Sequence, residues 1–296
     1  MRHAACGLVR VVAALASGCA GVKSESLELV YEGRQAIPNF VIDGKPARIH
    51  TQGLYVTDAH YYVTGRLETE PRESVFLRIV RADPTDVTHI KITPPVVDQQ
   101  RLDHPGGFDF DGRAFWVPVS GSRPHSRTQV VRIPASPDKP LSATTWTTAF
   151  TVDDHIGALA YDRWRDRLYG ANWDTKIIYV WKPDGTLIEK IPRSAVVADD
   201  PGWALAIQDF KCIGPDRIFA GGVDKRPVRD PSQSRAIVEV LDMAHRRSVS
   251  KLRLNSPPGT DVRLTHEGLA RLGDTVFFLP GDLGNNATVF RYRSRE

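Results

Sequence analysis

Cysteine is nearly absent from this 296-residue chain. Of its three cysteines, Cys6 and Cys19 fall within the first twenty residues and Cys212 alone remains in the body, so a disulfide framework is excluded. Cys212 sits in the alternating stretch Phe210-Lys211-Cys212-Ile213, where a structural thiol is expected rather than a nucleophile. No run beyond the N-terminal segment approaches the ~20 apolar residues of a membrane span. Excess charge is lacking too: removing Arg2 and Arg10 of the N-terminal segment leaves 37 of the 39 basic residues against 35 acidic ones, about +2. Aromatics do not alternate with basic clusters, so nucleic acid is not an expected partner. The chain contains no HExxH, paired CxxC, GxSxG or phosphate-cradling glycine loop. Helical periodicity is almost missing; only Arg193 to Ile207 offers room for a short helix or a long loop.

What is present begins with a targeting pattern. Arg2 and Arg10 precede the apolar Val11 to Ala16 and then small residues, so residues 1–20 read as a leader and export to a bacterial cell envelope is expected. Ala16-Ser17-Gly18-Cys19 resembles a bacterial lipobox, which would make Cys19 a lipidation site; ordinary cleavage after Ala20 is the alternative. A lipid tether is the one membrane contact expected. The remainder, residues 25–296, reads as one domain, expected to be a monomer.

That domain is organised by a repeat. A small or polar anchor, a short strand, an Asp/Gly-rich turn and a second apolar strand recur five times, at Gly53, Gly107, Gly157, Asp209 and Gly268. The 50–60-residue spacing lies in the range of propeller blades. Two further strand candidates follow each of the first four hairpins: Val75 to Val80 and His89 to Ile92, Gln129 to Ile133 and Trp146 to Phe150, Ile177 to Trp181 and Thr186 to Ile191, Ala236 to Leu241 and Ser248 to Leu254. The fifth unit has only Thr288 to Tyr292 and is one strand short. The alternating Leu27 to Tyr31 is free to complete it, which leaves no long edge exposed. The sequence therefore predicts an all-β, five-bladed β-propeller with four-stranded blades, closed by an N-terminal strand completing the last blade.

In each hairpin the start of the first strand lies beside the end of the second, so the residues at those points share one rim, the expected site. Before the anchors stand Gln52, His104, Asp154 with His155, Gln208 with Asp209, and His266 with Glu267. After the second strands stand Arg66, then Ser120, Arg123 and His125, then Asn172, Trp173 and Asp174, then Asp224 and Lys225, and finally Asp282 and Asn285. Three readings fit this series. One is acid–base catalysis, with His155 or His266 as base, Glu267 or Asp154 orienting it, and His104, Gln52 and Arg66 positioning substrate. A second is one divalent metal in the central channel, held by His104, His155 and His266 with a carboxylate. The third is polar satisfaction of strand ends at blade junctions. Substrate contacts are expected from Gln52, Arg66, His104, Arg123, Asn172, Trp173, Gln208, Asp224 and Asp282, on a small molecule, a sugar or a peptide end. Trp173 would supply an apolar wall, whereas Trp203 is expected to pack between blades. A non-catalytic envelope scaffold that captures another protein on its rim is the rival function.

Two resemblances bear on this reading. Thr51-Gln52-Gly53-Leu54, with Tyr62-Val63-Thr64-Gly65 and Phe76-Leu77-Arg78, resembles the first blade of plant-type glutaminyl cyclases, which implies a five-bladed propeller. Where that family has its catalytic Glu this chain has Tyr62, so the likeness carries the fold and not the cyclase chemistry. His104-Pro105-Gly106-Gly107-Phe108-Asp109-Phe110-Asp111-Gly112, with Phe115 to Val119 and Asp153-Asp154-His155-Ile156-Gly157, is similar to a bacterial exported propeller family of unknown function.

Overall fold

Alternating apolar and polar residues, broken by Asp/Gly turns, leave this chain little choice but short antiparallel strands. The computed structural model describes residues 27–96, 99–135, 141–227 and 235–295, and in them these strands form five four-layered blades in a ring. Blade one runs Ile49–Val56, His60–Leu67, Glu73–Val80 and Val87–Lys91 from the axis outwards. Blade two has an inner strand broken into His104–Pro105 and Asp109–Phe110, followed by Ala114–Ser120, Thr128–Pro134 and Thr147–Val152. Blade three is Ile156–Asp162, Arg167–Asn172, Ile177–Trp181 and Leu187–Pro192; blade four is Leu205–Gly214, Arg217–Asp224, Ala236–Asp242 and Arg247–Arg253.

Blade five is built from both ends of the described chain. Gly268–Leu272, Thr275–Leu279 and Thr288–Arg295 are completed on the outside by Glu28–Ala36, paired antiparallel from Glu28↔Arg295 to Ala36↔Thr288. The Tyr31 and Tyr292 rings meet edge to face at 5.4 Å across that pairing. The expected closure is therefore present, one bulge included, between Tyr31 and Gly33. Arg193 to Ile207 holds only one helical turn, Arg193–Val196. Not anticipated is the small hairpin Val41–Ile42 with Lys45–Pro46 that links the closing strand to blade one. No helix among the described residues is long and apolar enough to cross a membrane. The leader, with its lipidation candidate Cys19, lies outside the described residues.

The core is divided as the ring requires, one apolar cluster at each junction between blades. Leu54, Val63 and Leu77 pack on Phe277 and Val289 between blades one and five; Phe76, Phe108 and Phe115 join one and two. Trp116 and Trp181 belong to the junction of two and three, and Leu269 with Phe278 to that of four and five. Trp203 fills the junction of three and four and donates from its indole to Glu239 at 2.9 Å, so it packs between blades as expected. Cys212 borders the same cluster, and burial raises its thiol pKa well above the ordinary value, as a structural thiol requires. Each fully buried Leu or Phe contributes roughly 1.5–3 kcal/mol.

Near the axis the inner strands come too close for side chains. A Cβ on Gly107 would lie 2.6 Å from Asp209 Oδ1, and one on Gly268 would lie 3.0 Å from the Leu54 backbone nitrogen, which explains why these anchors are glycines. Gly107 donates its N–H to Gly157 O at 2.9 Å and accepts from Leu159 N at 2.9 Å, so blades two and three are bonded directly at the centre. Aspartates stitch other junctions. Asp209, fully buried on blade four, accepts from Leu54 N of blade one at 3.0 Å and Leu269 N of blade five at 3.1 Å. Asp109 accepts from Tyr161 N and Asp162 from Asp216 N, each at 3.0 Å. Lys211 fills the axis itself, its ammonium donating to Asp209 and to Phe108 O.

Candidate functional site

Above that closed axis the rim carries a row of flat rings contributed by consecutive blades. His50 of blade one lies 6.3 Å from His104 of blade two, His104 5.5 Å from His155 at the head of blade three, and His155 4.7 Å from Trp173 after its second strand, measured between ring centroids. The neighbouring blade five supplies two carboxylates: Asp282 Oδ1 stands 2.9 Å from His50 Nδ1, and Glu267 Oε1 stands 2.9 Å from His266 Nδ1. Two imidazole–carboxylate pairs thus occupy the same arc, and Glu267 feels the charges of His50, His266 and Asp282.

The members of these pairs differ in what they can do. The His266 side chain is 54% exposed while that of Glu267 is 5% exposed, so an accessible imidazole is held by a carboxylate in the wall. The bond to Glu267 raises the His266 pKa, with burial opposing; burial raises that of Glu267, with the bond to His266 opposing. The hydrogen bond thus favours the charged form of each partner, against the burial that disfavours it. His155 is only 2% exposed; its Nδ1 donates to Gly121 O at 2.9 Å and lies 3.2 Å from Ser126 Oγ. Burial lowers its pKa. His104 is pushed down to about 3 by burial first, then by His155, Arg66 and His50, so its ring is neutral.

Several sequence expectations are corrected here. Asp154 does not orient His155: its carboxylate accepts from the His155 backbone N–H, from Asn172 Nδ2 at 2.7 Å and from the Tyr179 hydroxyl at 2.8 Å. Asn172 is spent in turn, accepting from Ile177 N at 2.7 Å, so both residues fix the turn into Trp173 and are not free for substrate. Arg66 is bound through Nε and Nη2 to Glu68, at 2.9 and 2.8 Å, rather than free to clamp a ligand. Asp224 is gripped by Arg226 and Arg253, each at 2.9 Å; burial would raise its pKa, but the guanidiniums outweigh it and hold it at about 2. Gln52 and Gln208 occupy bulges, where the register shifts between Thr51 and Gly53 and between Ile207 and Asp209.

The three-imidazole metal set is corrected as well. Among the described residues no three His, Cys, Asp or Glu side chains are grouped to hold a metal ion. His266 turns to Glu267, His155 Nδ1 is taken by a carbonyl, and the axis below is filled by a protein cation, Lys211.

Of the anticipated rim residues, His104, His155 and Trp173 come together, and His266, Glu267 and Asp282 form the adjoining pairs. His50 was missed. It stands three residues before the Gly53 anchor, and only the bulge at Gln52, which extends the inner strand back to Ile49, brings it to the rim opposite Arg66. Its signal was a histidine at the same distance from its anchor as His104 is from Gly107. Two clefts flank the arc. One, of about 450 Å³, is lined by Arg48, His50, Glu68, Asp282 and Asn285; the other, of about 430 Å³, by Arg101, Asp103, Ser122, Arg123 and His125. Arg123 has no ion-pair partner among the described residues.

Known structures share this architecture at low identity. A GH43 glycoside hydrolase engineered to display endo-xylanase and exo-arabinofuranosidase activity is 14% identical, with 88% of this chain and 51% of that one covered at a TM-score of 0.55. A structure from the GH130 family of mannoside phosphorylases, which contains glycoside hydrolases that target β-1,2-mannosidic linkages in Candida mannan, is 11% identical, with 89% and 94% covered at a TM-score of 0.52. These likenesses carry the propeller fold. No protein of curated function matches the sequence. Residues 46–294, nearly the whole ring, match one family model, and the chain therefore belongs to the family of unknown function DUF6454.

Proposed function

We propose that the propeller mouth binds a small polar molecule, a sugar or a peptide end, and carries out hydrolase, lyase or cyclase chemistry with His266 as the acid–base group. The observation that supports this reading is the His266–Glu267 pair, an accessible imidazole whose Nδ1 is 2.9 Å from a buried carboxylate. In a hydrolysis, the neutral ring takes a proton from water at Nε2 while Glu267 stabilises the imidazolium through Nδ1. The water oxygen bonds to the substrate, and the proton passes from His266 to the leaving group. His50 with Asp282 forms the adjoining wall, and Trp173 closes the far end of the ring row.

Export, with a lipid on Cys19, is part of the same proposal, since an envelope location would suit a protein that meets sugars or peptides; mass measurement of the mature N-terminus tests it. Activity is tested with the purified chain on a panel of chromogenic glycosides, esters and aminoacyl amides, the glycosides being tried first because of the glycoside hydrolase neighbours. Turnover that falls about 10²–10⁴-fold in both His266→Asn and Glu267→Gln is expected. Turnover unchanged in His266→Asn would sink the reading.

A further inference from the structure

We infer that His104 presents a neutral Nε2–H donor to the mouth and receives there a carbonyl or carboxylate oxygen of the bound molecule, an assignment that rests on the acid–base reading of the same site and names its ligand class as acyl compounds. The argument is a count of where imidazole protons can go. His155 spends its Nδ1–H on Gly121 O, and His50 turns Nδ1 to Asp282. His104 makes neither kind of contact. Its Nδ1 is enclosed and has no hydrogen-bond partner, which leaves Nε2 as the nitrogen able to meet solvent or a ligand.

A neutral imidazole carries one proton. Placed on Nδ1, it would be a buried donor without an acceptor, the less tolerated orphan; placed on Nε2, it meets solvent or ligand and leaves Nδ1 an unpaired acceptor. A second proton would create that orphan donor in any case, and it would stand near the Arg66 guanidinium. His104 is fixed in position because the strand segment that carries it pairs opposite Ser120, whose hydroxyl is itself bonded to Thr128 and Ile156 O. A rigid, uncharged N–H at the centre of a ring row favours an electron-rich oxygen and offers nothing to a cation. It is the arrangement that stabilises charge developing on a carbonyl oxygen without a competing proton transfer.

The test uses the full chain labelled with ¹⁵N-histidine at pH 7 and sodium acetate as the probe. Long-range ¹H–¹⁵N spectra are expected to show His104 as the Nε2–H tautomer, with its Nε2 resonance moving to saturation as acetate is added. His104→Leu is expected to weaken acetate at least about tenfold, while His104→Gln, whose amide N–H reaches near the Nε2 position, retains binding within about threefold. Should His104→Leu fail to fold, the wild-type tautomer and the His104→Gln titration decide alone. An Nδ1–H tautomer, or a His104 resonance unmoved by acetate, overturns the proposal. If His266 responds while His104 does not, the ligand assignment fails and the acid–base reading stands.

Discussion

Lys211 donates its ammonium to the carboxylate of Asp209, two residues earlier on the same strand, and this pair fills the axis of the ring. Residues i and i+2 of a strand share a face, so blade four alone sets the contact, while Leu54, Leu269 and Phe108 attach blades one, five and two to it.

Asp209→Ala is therefore expected to lower stability by about 3 to 5 kcal/mol, because it leaves a buried ammonium and two backbone donors unpaired. Lys211→Met tests the sign. Burial pushes Asp209 up to about 6 even with Lys211 opposing, so its folded-state pKa lies above the unfolded one and its contribution to stability falls as pH rises from about 4 through about 6. Without Lys211 the buried charge has no counter-ion. The deficit of the variant should thus be small at pH 4.5 and grow towards pH 8, read from urea midpoints; a deficit independent of pH would count against the pairing.

The His266–Glu267 pair makes a second, local prediction. Glu267→Gln removes the largest influence that raises the imidazole and leaves burial and Arg263, which lower it, opposed by Asp282 alone, so the His266 titration should move down. The raised folded-state value also means that the stability this pair supplies is present below the unfolded value near 6.5 and is lost as pH rises through the folded one. Histidine Cε1–H resonances followed between pH 5 and 9 in both proteins check the direction.

Tyr62 tests the glutaminyl cyclase likeness. Its ring lies 4.6 Å from Phe115 and 5.9 Å from Phe76, far from the histidine row and lining an apolar cleft with Phe110 and Ile133. Tyr62→Glu should cost about 2 kcal/mol or more by placing a carboxylate among aromatic rings, and no cyclase activity should appear. Tyr62→Phe should stay within about 0.5 kcal/mol of wild type in the same thermal melts.

Removal of residues 27–36 should expose the Thr288–Arg295 edge and strip Leu29 and Tyr31 from the apolar cluster between blades four and five. Concentration-dependent oligomers and a lower Tm are expected by light scattering and calorimetry. A monomer as stable as the full chain would show that the outer strand contributes little.

Most of the architecture was legible because a blade is a local object: Gly107 to Val117 or Gly157 to Gly170 shows an anchor, a turn and two strands within eleven or fourteen residues. The closing strand was legible from a deficit, a fifth unit one strand short. The site was harder to read, because a single bulge re-aims every residue before it. The bulge at Gln52 took that residue out of the ladder and brought His50 to the rim, and the shift between Ile156 and Ala158 accompanies the turning of Asp154 towards Asn172 and Tyr179 instead of His155. Proximity in sequence made Asp154 and His155 look like a pair, whereas hydrogen-bond demand at the blade junction decided otherwise. His266 and Glu267, equally adjacent, did meet.

The joining of Glu28–Ala36 to Thr288–Arg295 also sets an order of events. A chain that emerges N-terminus first presents its first strand long before the partner exists, so four blades can assemble while that strand waits in solution, and the ring locks only when residue 295 is free. The closing step is thus a long-range search over some 260 residues, slow relative to the hairpins it completes.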